Sequence, residues 1–255
     1  MSEHDYHGLK TLLSQVAFGS LSALTSLSDS IVNQVNLGAV VTTENGEAGV
    51  AAFGSVLNIS QYKAVAGMLS FRSFIADLAK KLPKSANLIN QMLSSDSYYT
   101  TGLLLKERLV NFPPELAPNL HHVMIEDAKW SVSDEFEPDE GEKRESYDFK
   151  YVLALCAFEI ESGSRTMTEE GGEAPVDMGH KRKRKFDKRN ADASRIFLHW
   201  EDEIFIERAL FSHSWQNTSK PIVCRANKKY NSYFCLYALR YTDYVELSSG
   251  LSQVQ

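Results

Sequence analysis

The chain has 255 residues, of which 43% are hydrophobic, and a formal net charge of −6. This composition provides enough apolar material for one large domain or two small ones with a sizeable core. It contains no apolar run of the roughly 18 to 20 residues that are needed to span a bilayer, and no continuous apolar segment near its start that would indicate a secretory signal.

Three scattered cysteines, Cys156, Cys224 and Cys235, are too few and too far apart for a disulfide framework or a paired zinc site. Cys156 and Cys235 lie inside apolar runs, which predicts buried thiols. We therefore expect a reducing compartment, either the cytosol or the nucleus.

The charge is divided into two opposed blocks on an otherwise neutral chain. Residues 111–179 carry 5 basic and 17 acidic side chains, a net charge of −12, whereas residues 180–195 carry 8 and 2, a net charge of +6. Residues 1–110 and 196–255 are each neutral overall. Such an asymmetry indicates interaction with charged partners.

Hydrophobic periodicity predicts helices and a hairpin in the N-terminal part of the chain. In chain order, we predict helices over residues 9–16 and 21–35, strands over 37–43 and 48–59 joined by a tight turn at Asn45-Gly46, and helices over 71–78 and 86–93. An Asn-Gly pair between two β-rich segments is a strong hairpin signal.

Residues 101–130 form the most informative stretch of the sequence. Leu103 to Leu105 are an apolar run of strand length. Phe112 precedes Pro113 and Pro114, so it is excluded from the helical region and the chain forms a rigid corner. A proline fits the first turn of a helix, which predicts a helix that starts on the second proline and continues to residue 130.

The C-terminal half predicts mainly strands. The long apolar segment 147–161 is expected to be central, followed by a strand over 196–200, a helical turn over 202–208, an extended piece over 209–214 and a strand over 230–241. Residues from about 162 to 195 combine glycines and charges with almost no large apolar side chain, which predicts a disordered loop. We expect a single α/β (α+β) domain over residues 1–255, with a mixed β-sheet flanked by helices.

Four blocks of the sequence, in order, carry a resemblance to a known family. They are Asp5-Tyr6-His7 with its leucine-rich helix, the Pro-Pro block 101–130, the strand 150–155 and the acidic-aromatic motif 201–205. Together they resemble the BCCIP family, the nuclear BRCA- and cyclin-kinase-inhibitor-interacting proteins and their fungal and plant counterparts. Members often carry an acidic N-terminal tail, whereas this sequence begins directly at the first block. Its polar segment 244–255 stands where a closing helix is expected.

The resemblance implies a fold similar to the GNAT acetyltransferases, but a non-enzymatic role. It implies an escort, chaperone and adaptor protein whose client is a basic protein, with a large-subunit ribosomal protein as the best-supported candidate. Nuclear transport of that client, ribosome biogenesis, nuclear export, cell-cycle control and DNA repair are the activities that the family suggests. We expect a monomer that shuttles between the nucleus and the cytoplasm.

The most distinctive motif outside the family blocks is a run of five basic residues within the predicted loop. These residues are Lys181, Arg182, Lys183, Arg184 and Lys185. In an extended loop they match what a nuclear import receptor accepts. Nucleic-acid binding has the same footprint, but no aromatic platform flanks the run and the whole chain is acidic. A solvated charge run attracted to the acidic block is the third interpretation.

A second charged motif, which we call the acidic segment, covers residues 134–142. Its acids are Asp134, Glu135, Glu137, Asp139, Glu140 and Glu142. One interpretation is a solvated loop. The other is a docking surface for the basic client, because several like charges steer such a partner and shield it from nucleic acid.

No arrangement in the sequence predicts metal binding or nucleophilic catalysis. His121 and His122 with Glu126 place an imidazole and a carboxylate at positions i and i+4 on one helix face, but a zinc site needs a third ligand, so a surface pair or a helix-stabilising contact is favoured. The chain has no Gly-x-Ser-x-Gly elbow. We expect no catalytic, cofactor-binding or metal-binding residues.

The rival enzyme hypothesis is a diverged acyl-CoA-dependent N-acetyltransferase. Such enzymes hold the cofactor pyrophosphate on a Gln/Arg-x-x-Gly-x-Gly/Ala loop at a helix start. The Gly-x-Gly/Ala triplets of this chain begin at Gly46, Gly49 and Gly172, and the residues three positions before them are Thr43, Gly46 and Glu169. The loop is therefore missing, which argues against the enzyme.

Overall fold

The computed structural model describes residues 3–15, 21–34, 36–42, 49–96, 100–138, 143–162, 195–218 and 222–253. The predicted turn at Asn45-Gly46, the basic run Lys181–Lys185 and most of the predicted loop lie outside these ranges. The described residues form one mixed β-sheet with helices, which confirms the predicted α/β class.

Seven α-helices and eight strands make up the described part of the chain. The helices are α1 (Tyr6–Leu13), α2 (Leu21–Asn33), α3 (Ala66–Lys81), α4 (Ala86–Met92), α5 (Ala117–Ser131), α6 (Glu201–Glu207) and α7 (Tyr241–Gly250). The strands are β1 (Ala39–Thr42), β2 (Val50–Asn58), β3 (Thr101–Arg108), β4 (Tyr151–Glu161), β5 (Arg195–Phe197), β6 (Phe211–Gln216), β7 (Val223–Arg225) and β8 (Lys228–Arg240). Short 3-10 helices lie at Glu3–Asp5, Pro114–Leu116, Arg144–Tyr147 and Leu251–Gln253.

The sheet has the strand order β1-β2-β3-β4-β8-β6, with β5 added to β4 and β7 to β8. All neighbouring pairs are antiparallel except β3 and β4, which are parallel and are connected through α5. A parallel pair needs such a crossover, whereas the antiparallel pairs can be joined by short turns. The Pro-Pro corner starts this crossover, because the 3-10 helix at Pro114–Leu116 leads directly into α5.

The parallel pair splits halfway along its length. β3 and β4 are paired only from Thr101 opposite Tyr151 to Leu104 opposite Ala154. Beyond that point β3 stays paired with β2, and β4 stays paired with β8, so the two halves of the sheet diverge. β5 takes the edge of β4 that β3 leaves, and the N–H of Leu198 donates to the carbonyl of Ala157 at 3.0 Å.

Alternating side chains of the central strands face two separate cores. Leu103 and Leu153 point to the core formed with α1 to α4, whereas Leu104 and Ala154 point to the core formed with α5, α6 and α7. This alternation is the two-residue period of a β-strand. Helices therefore cover both faces of the sheet, which explains why β4 is apolar along nearly its whole length.

The structure corrects two expectations about the C-terminal half, adds one strand and confirms the burial of two cysteines. The polar segment 244–255 does contain most of a closing helix, α7, which buries Tyr244 and is followed by the buried Leu251. Tyr241, Val245 and Leu247 are partly buried against the same core, so this short helix packs although its other positions are polar. The strand predicted to reach residue 200 ends at Phe197, and the short strand β7 was not predicted. Cys156 and Cys235 are buried, as expected.

Candidate functional site

The outer half of β3 carries a lysine into the protein interior. Lys106 has the same strand phase as Leu104, so it points into the core formed with α5, α6 and α7. Its side chain is 4% exposed, and its Nζ lies 3.1 Å from Glu201 Oε1 and 3.0 Å from Asp202 Oδ1. Both carboxylates belong to the first turn of α6, which follows β5 directly. The lysine therefore crosses the split between β3 and β4 to reach them.

A second cation and a phenol complete this arrangement, which we call the ionic cluster (Lys106, Arg108, Glu201, Asp202 and Tyr237). Arg108 donates two parallel hydrogen bonds of 3.0 Å to the two oxygens of Glu201. Tyr237 of β8 donates to Asp202 Oδ1 at 2.7 Å. Paired carboxylates with this many donors are the condition under which buried charges are tolerated.

Two histidines border the ionic cluster. Nδ1 of His121 and the hydroxyl of Tyr244 share a hydrogen bond of 2.9 Å, and Nε2 of His121 lies 3.7 Å from Glu201, beyond hydrogen-bond distance. Burial raises the pKa of Tyr244 well above its usual value, so the phenol stays protonated. His199 lies with its Nδ1 3.4 Å from Lys106 Nζ.

The pKa values follow from burial and from these partners. Burial alone would lower the pKa of Lys106, but the carboxylates of Asp202 and Glu201 outweigh it and raise that pKa. Burial would raise the pKa of Glu201, but the cations Lys106 and Arg108 hold it well below its usual value. Burial lowers the pKa of His121. At neutral pH the lysine and Glu201 are therefore charged and His121 is neutral.

The ionic cluster closes the split between β3 and β4. Its members donate to and accept from one another, and they are almost fully enclosed. No group of three or more His, Cys, Asp or Glu side chains in the described ranges could hold a metal ion. The cluster instead ties α6 to β3 across the place where the sheet divides.

The Gly-x-Ala triplet at Gly49 does not form a phosphate-binding loop. Gly49 has a φ of 71° and leads into β2, where Val50 is paired with Thr42 of β1. The triplet therefore starts a strand and not a helix, so it lacks the free N–H groups of a helix N-terminus. The triplets at Gly46 and Gly172 lie outside the described residues.

The prediction of a surface position holds for His122 on α5 but is wrong for His121. His121 is 1% exposed and faces Glu201 and Tyr244, whereas His122 is exposed. Glu126 accepts a 2.8 Å hydrogen bond from Lys129, which lowers the pKa of that carboxyl. His121 shares the buried face of α5 with Met124 and Ala128, and a step of one residue, about 100°, turns His122 away from that face.

The described part of the acidic segment has a fixed geometry. Asp134, Glu135 and Glu137 are exposed, while Asp139, Glu140 and Glu142 lie outside the described residues. Phe136 is 5% exposed and its ring packs against Trp130 at 5.0 Å and against Tyr147 at 5.7 Å. The apolar residue in the middle of the acidic run was the signal for this anchoring.

Arg144 fastens the same segment from its other side. Its guanidinium donates to the carbonyl of Phe136 at 2.8 Å, to the carbonyl of Asp134 at 3.0 Å and to Asp134 Oδ1 at 3.1 Å. Among the described residues, Glu135 and Glu137 have no ion-pair partner. The segment thus presents unneutralised carboxylates on a fixed backbone.

The sequence matches a family model over most of its length. The family model described as BCCIP matches residues 1–205. The chain belongs to the BCCIP family. Two of the family blocks named above meet in the ionic cluster, since Lys106 and Arg108 lie in the Pro-Pro block and Glu201 and Asp202 in the acidic-aromatic motif.

Several relatives of this BCCIP family member come from fungi and plants. Protein bcp1 of Aspergillus fumigatus is 32% identical over 219 residues, covering 85% of this chain and 68% of the relative. The BCCIP homolog of Arabidopsis thaliana is 26% identical over 228 residues, covering 89% and 63%. The chain thus spans about two thirds of the length of these relatives. Neither relative has the name of an enzyme.

A solved structure shares the fold of this BCCIP family member. The crystal structure of BCP1 from Saccharomyces cerevisiae matches with a TM-score of 0.59 and 19% identity, covering 97% of this chain and 82% of that one. Among the residues that the structure describes, no helix is both long and apolar enough to cross a membrane.

We predict that acidification destabilises the fold through His121 and Glu201. The folded pKa of His121 lies below 6.5 and that of Glu201 well below 4.5, so the unfolded chain binds more protons as the pH falls. The contribution of His121 is present above pH 6.5, and that of Glu201 above pH 4.5; each is lost as the pH falls through the folded pKa. The free energy of unfolding, measured in urea, should fall between about pH 7 and about pH 4.

His121→Gln serves as the control for this pH dependence. Its free energy of unfolding should change less steeply than that of the unmodified chain as the pH falls below 6.5, because one titrating group is gone. The same slope in both proteins would contradict the assignment of this contribution to His121.

We predict that Lys106→Met destabilises the protein by about 3–5 kcal/mol, because it leaves two buried carboxylates without their shared cation. Lys228→Met is the matched control, since it removes a 2.8 Å pair with Glu161 that is largely exposed. The control should show no measurable change. Urea unfolding of the two variants checks this, and equal losses would contradict a structural role for the ionic cluster.

Proposed function

We propose that this chain is a non-enzymatic nuclear escort and adaptor that binds a basic client, a large-subunit ribosomal protein, and supports its nuclear transport and ribosome biogenesis. Family membership supports the non-enzymatic role. The observation that carries the proposal is the described part of the acidic segment, where Glu135 and Glu137 are exposed, have no ion-pair partner among the described residues, and lie on a backbone held by Phe136 and Arg144.

The charge of this region gives the proposal its physical basis. Residues 111–179 have a net charge of −12, and the acidic segment lies within them. Such a field accelerates encounter with a basic protein and disfavours nucleic acid, which carries the same sign of charge. Roles in nuclear export, cell-cycle control and DNA repair would use the same binding activity toward other partners.

The basic run Lys181–Lys185 is proposed as the signal for an import receptor. Its five consecutive cations are the supporting observation. Direct nucleic-acid binding and a solvated charge run remain the other two interpretations. We propose a nuclear protein that shuttles with the cytoplasm and acts as a monomer.

We infer a fold similar to the GNAT acetyltransferases, and such a fold is compatible with one enzyme hypothesis. Its support is the parallel pair β3–β4, which is joined by a helix and splits partway. The alternative function is therefore a diverged acyl-CoA-dependent N-acetyltransferase. Against it, β5 and the ionic cluster occupy the split, and the triplet at Gly49 starts a strand.

The client-binding prediction is tested by a pull-down from cell extract, with a basic ribosomal protein as the expected product. The unmodified chain is compared with a variant in which the six acids of residues 134–142 are changed to Ser or Asn. The client should be enriched by the first and lost from the second, because the field that attracts it has been removed.

Glu203→Gln with Glu207→Gln provides a control for loss of charge alone, because both side chains are exposed on α6. This variant should retain the client. Equal recovery by the acidic-segment variant would move client binding to the folded core, and no basic client from any of the proteins would contradict the escort function.

The enzyme alternative predicts that acetyl-CoA raises the melting temperature, since a ligand that binds only the folded state stabilises it. We expect no shift at about 100 times an ordinary dissociation constant, where binding would add about 2.7 kcal/mol. Thermal unfolding with and without acetyl-CoA measures this directly. A clear upward shift would favour the transferase.

A further inference from the structure

Trp130, near the end of α5, is a half-exposed indole that is held in a fixed position. It is 46% exposed. Its carbonyl accepts hydrogen bonds from the N–H of Ser133 at 2.9 Å and from the Ser133 hydroxyl at 2.7 Å. Its ring packs edge-on against Phe136, with ring centres 5.0 Å apart and an interplanar angle of 63°.

The support for Trp130 continues into the interior. Phe136 contacts Tyr147 on its other side, with the two rings at 88°, and Tyr147 is 2% exposed. Arg144 holds the carbonyl of Phe136. An indole that is already ordered loses little conformational entropy when a partner covers it, which is why tryptophan is enriched at the energetic centres of interfaces.

The surroundings of Trp130 combine apolar and acidic groups. Val132 is 40% exposed. Val123, which lies two helical turns before Trp130 on the same face of α5, is also 40% exposed. The chain turns back after α5, so that Glu135 and Glu137 flank Phe136, whose ring touches the indole. The C-terminal end of α5 adds further negative potential at this place.

We propose that Trp130, with Val132 and the carboxylates of Glu135 and Glu137, is the docking site for an arginine-bearing segment of the client. This proposal rests on the proposed function, because the client is taken to be basic. A guanidinium stacks flat on the indole, and its N–H groups reach the neighbouring carboxylates. Lysine, a compact and strongly hydrated cation, fits such a surface less well.

Charge complementarity selects this occupant over the other candidates. An RNA would bring phosphates to unneutralised carboxylates and would be repelled. The same surface of a second copy would bring its own exposed carboxylates, Glu135 and Glu137, to this place and would be repelled. A purely apolar partner would leave Glu135 and Glu137 desolvated without cations.

The test follows Trp130 directly by fluorine NMR of the full chain labelled with 5-fluorotryptophan. The chain has three tryptophans, so Trp200 and Trp215, which are only partly exposed, act as internal references. The probe is a nona-arginine peptide, compared with nona-lysine. We expect the Trp130 resonance, assigned with Trp130→Phe, to shift with nona-arginine, to shift less with nona-lysine, and the other two to stay in place.

Variants then measure the contribution of each part. Trp130→Ala and, separately, Glu135→Gln with Glu137→Gln should each weaken nona-arginine binding by about ten-fold, as loss of an interface centre does. Trp130→Phe keeps the ring contact with Phe136 and should lose less. Glu203→Gln with Glu207→Gln removes the same charge elsewhere and should change the affinity little.

The outcomes separate this docking site from the proposed function. A client from the pull-down that binds the unmodified chain and Trp130→Ala equally would overturn the docking site and leave the escort function standing. If no client is found, the escort function fails, while the fluorine spectra with nona-arginine still decide the site. A Trp130 resonance that does not respond, or that moves with protein concentration alone, would overturn it.

Discussion

The pairing of Lys106 with Glu201 and Asp202 is the constraint on which much of the structure depends. β3 and β4 separate after four paired residues, and a sheet that opens in this way exposes both strand edges and the core between them. β5 closes one edge, and the ionic cluster fills the remaining space with charges that neutralise one another. Because these charges are largely buried, removing one of them leaves the others under-compensated.

The chain uses acidic residues in two opposite ways. In the ionic cluster, burial and nearby cations hold Glu201 ionised inside the protein, where it contributes to the fold. On the acidic segment, Glu135 and Glu137 are exposed and have no ion-pair partner in the described part of the chain. Only the second arrangement leaves charge available to an outside partner, and Phe136 and Arg144 fix where that charge is presented.

Local patterns predicted the elements of this fold well, but not the contacts between them. The strand at 101–109, the helix after Pro114 and the central strand 147–161 follow from periodicity and proline chemistry, and the structure confirms them. The ionic cluster could not be predicted in this way, because its partners are about 95 residues apart. The signal was present but unrecognised: a lysine one position after three leucines shares the inward phase of Leu104. Likewise, the burial of His121 and the grip of Arg144 depend on tertiary packing and not on local spacing.

The enclosure of Lys106 with two carboxylates restricts which substitutions can be accepted at these positions during evolution. A neutral residue at position 106 would leave Asp202 without a cation and Glu201 with Arg108 alone, and a neutral residue at 201 or 202 would leave the cations under-compensated. Substitutions at these three positions are therefore strongly non-additive, and a tolerated change at one of them requires changes at the others. Related chains should vary at this place as a set: either the whole charged group is kept, or an apolar group of similar volume replaces it entirely.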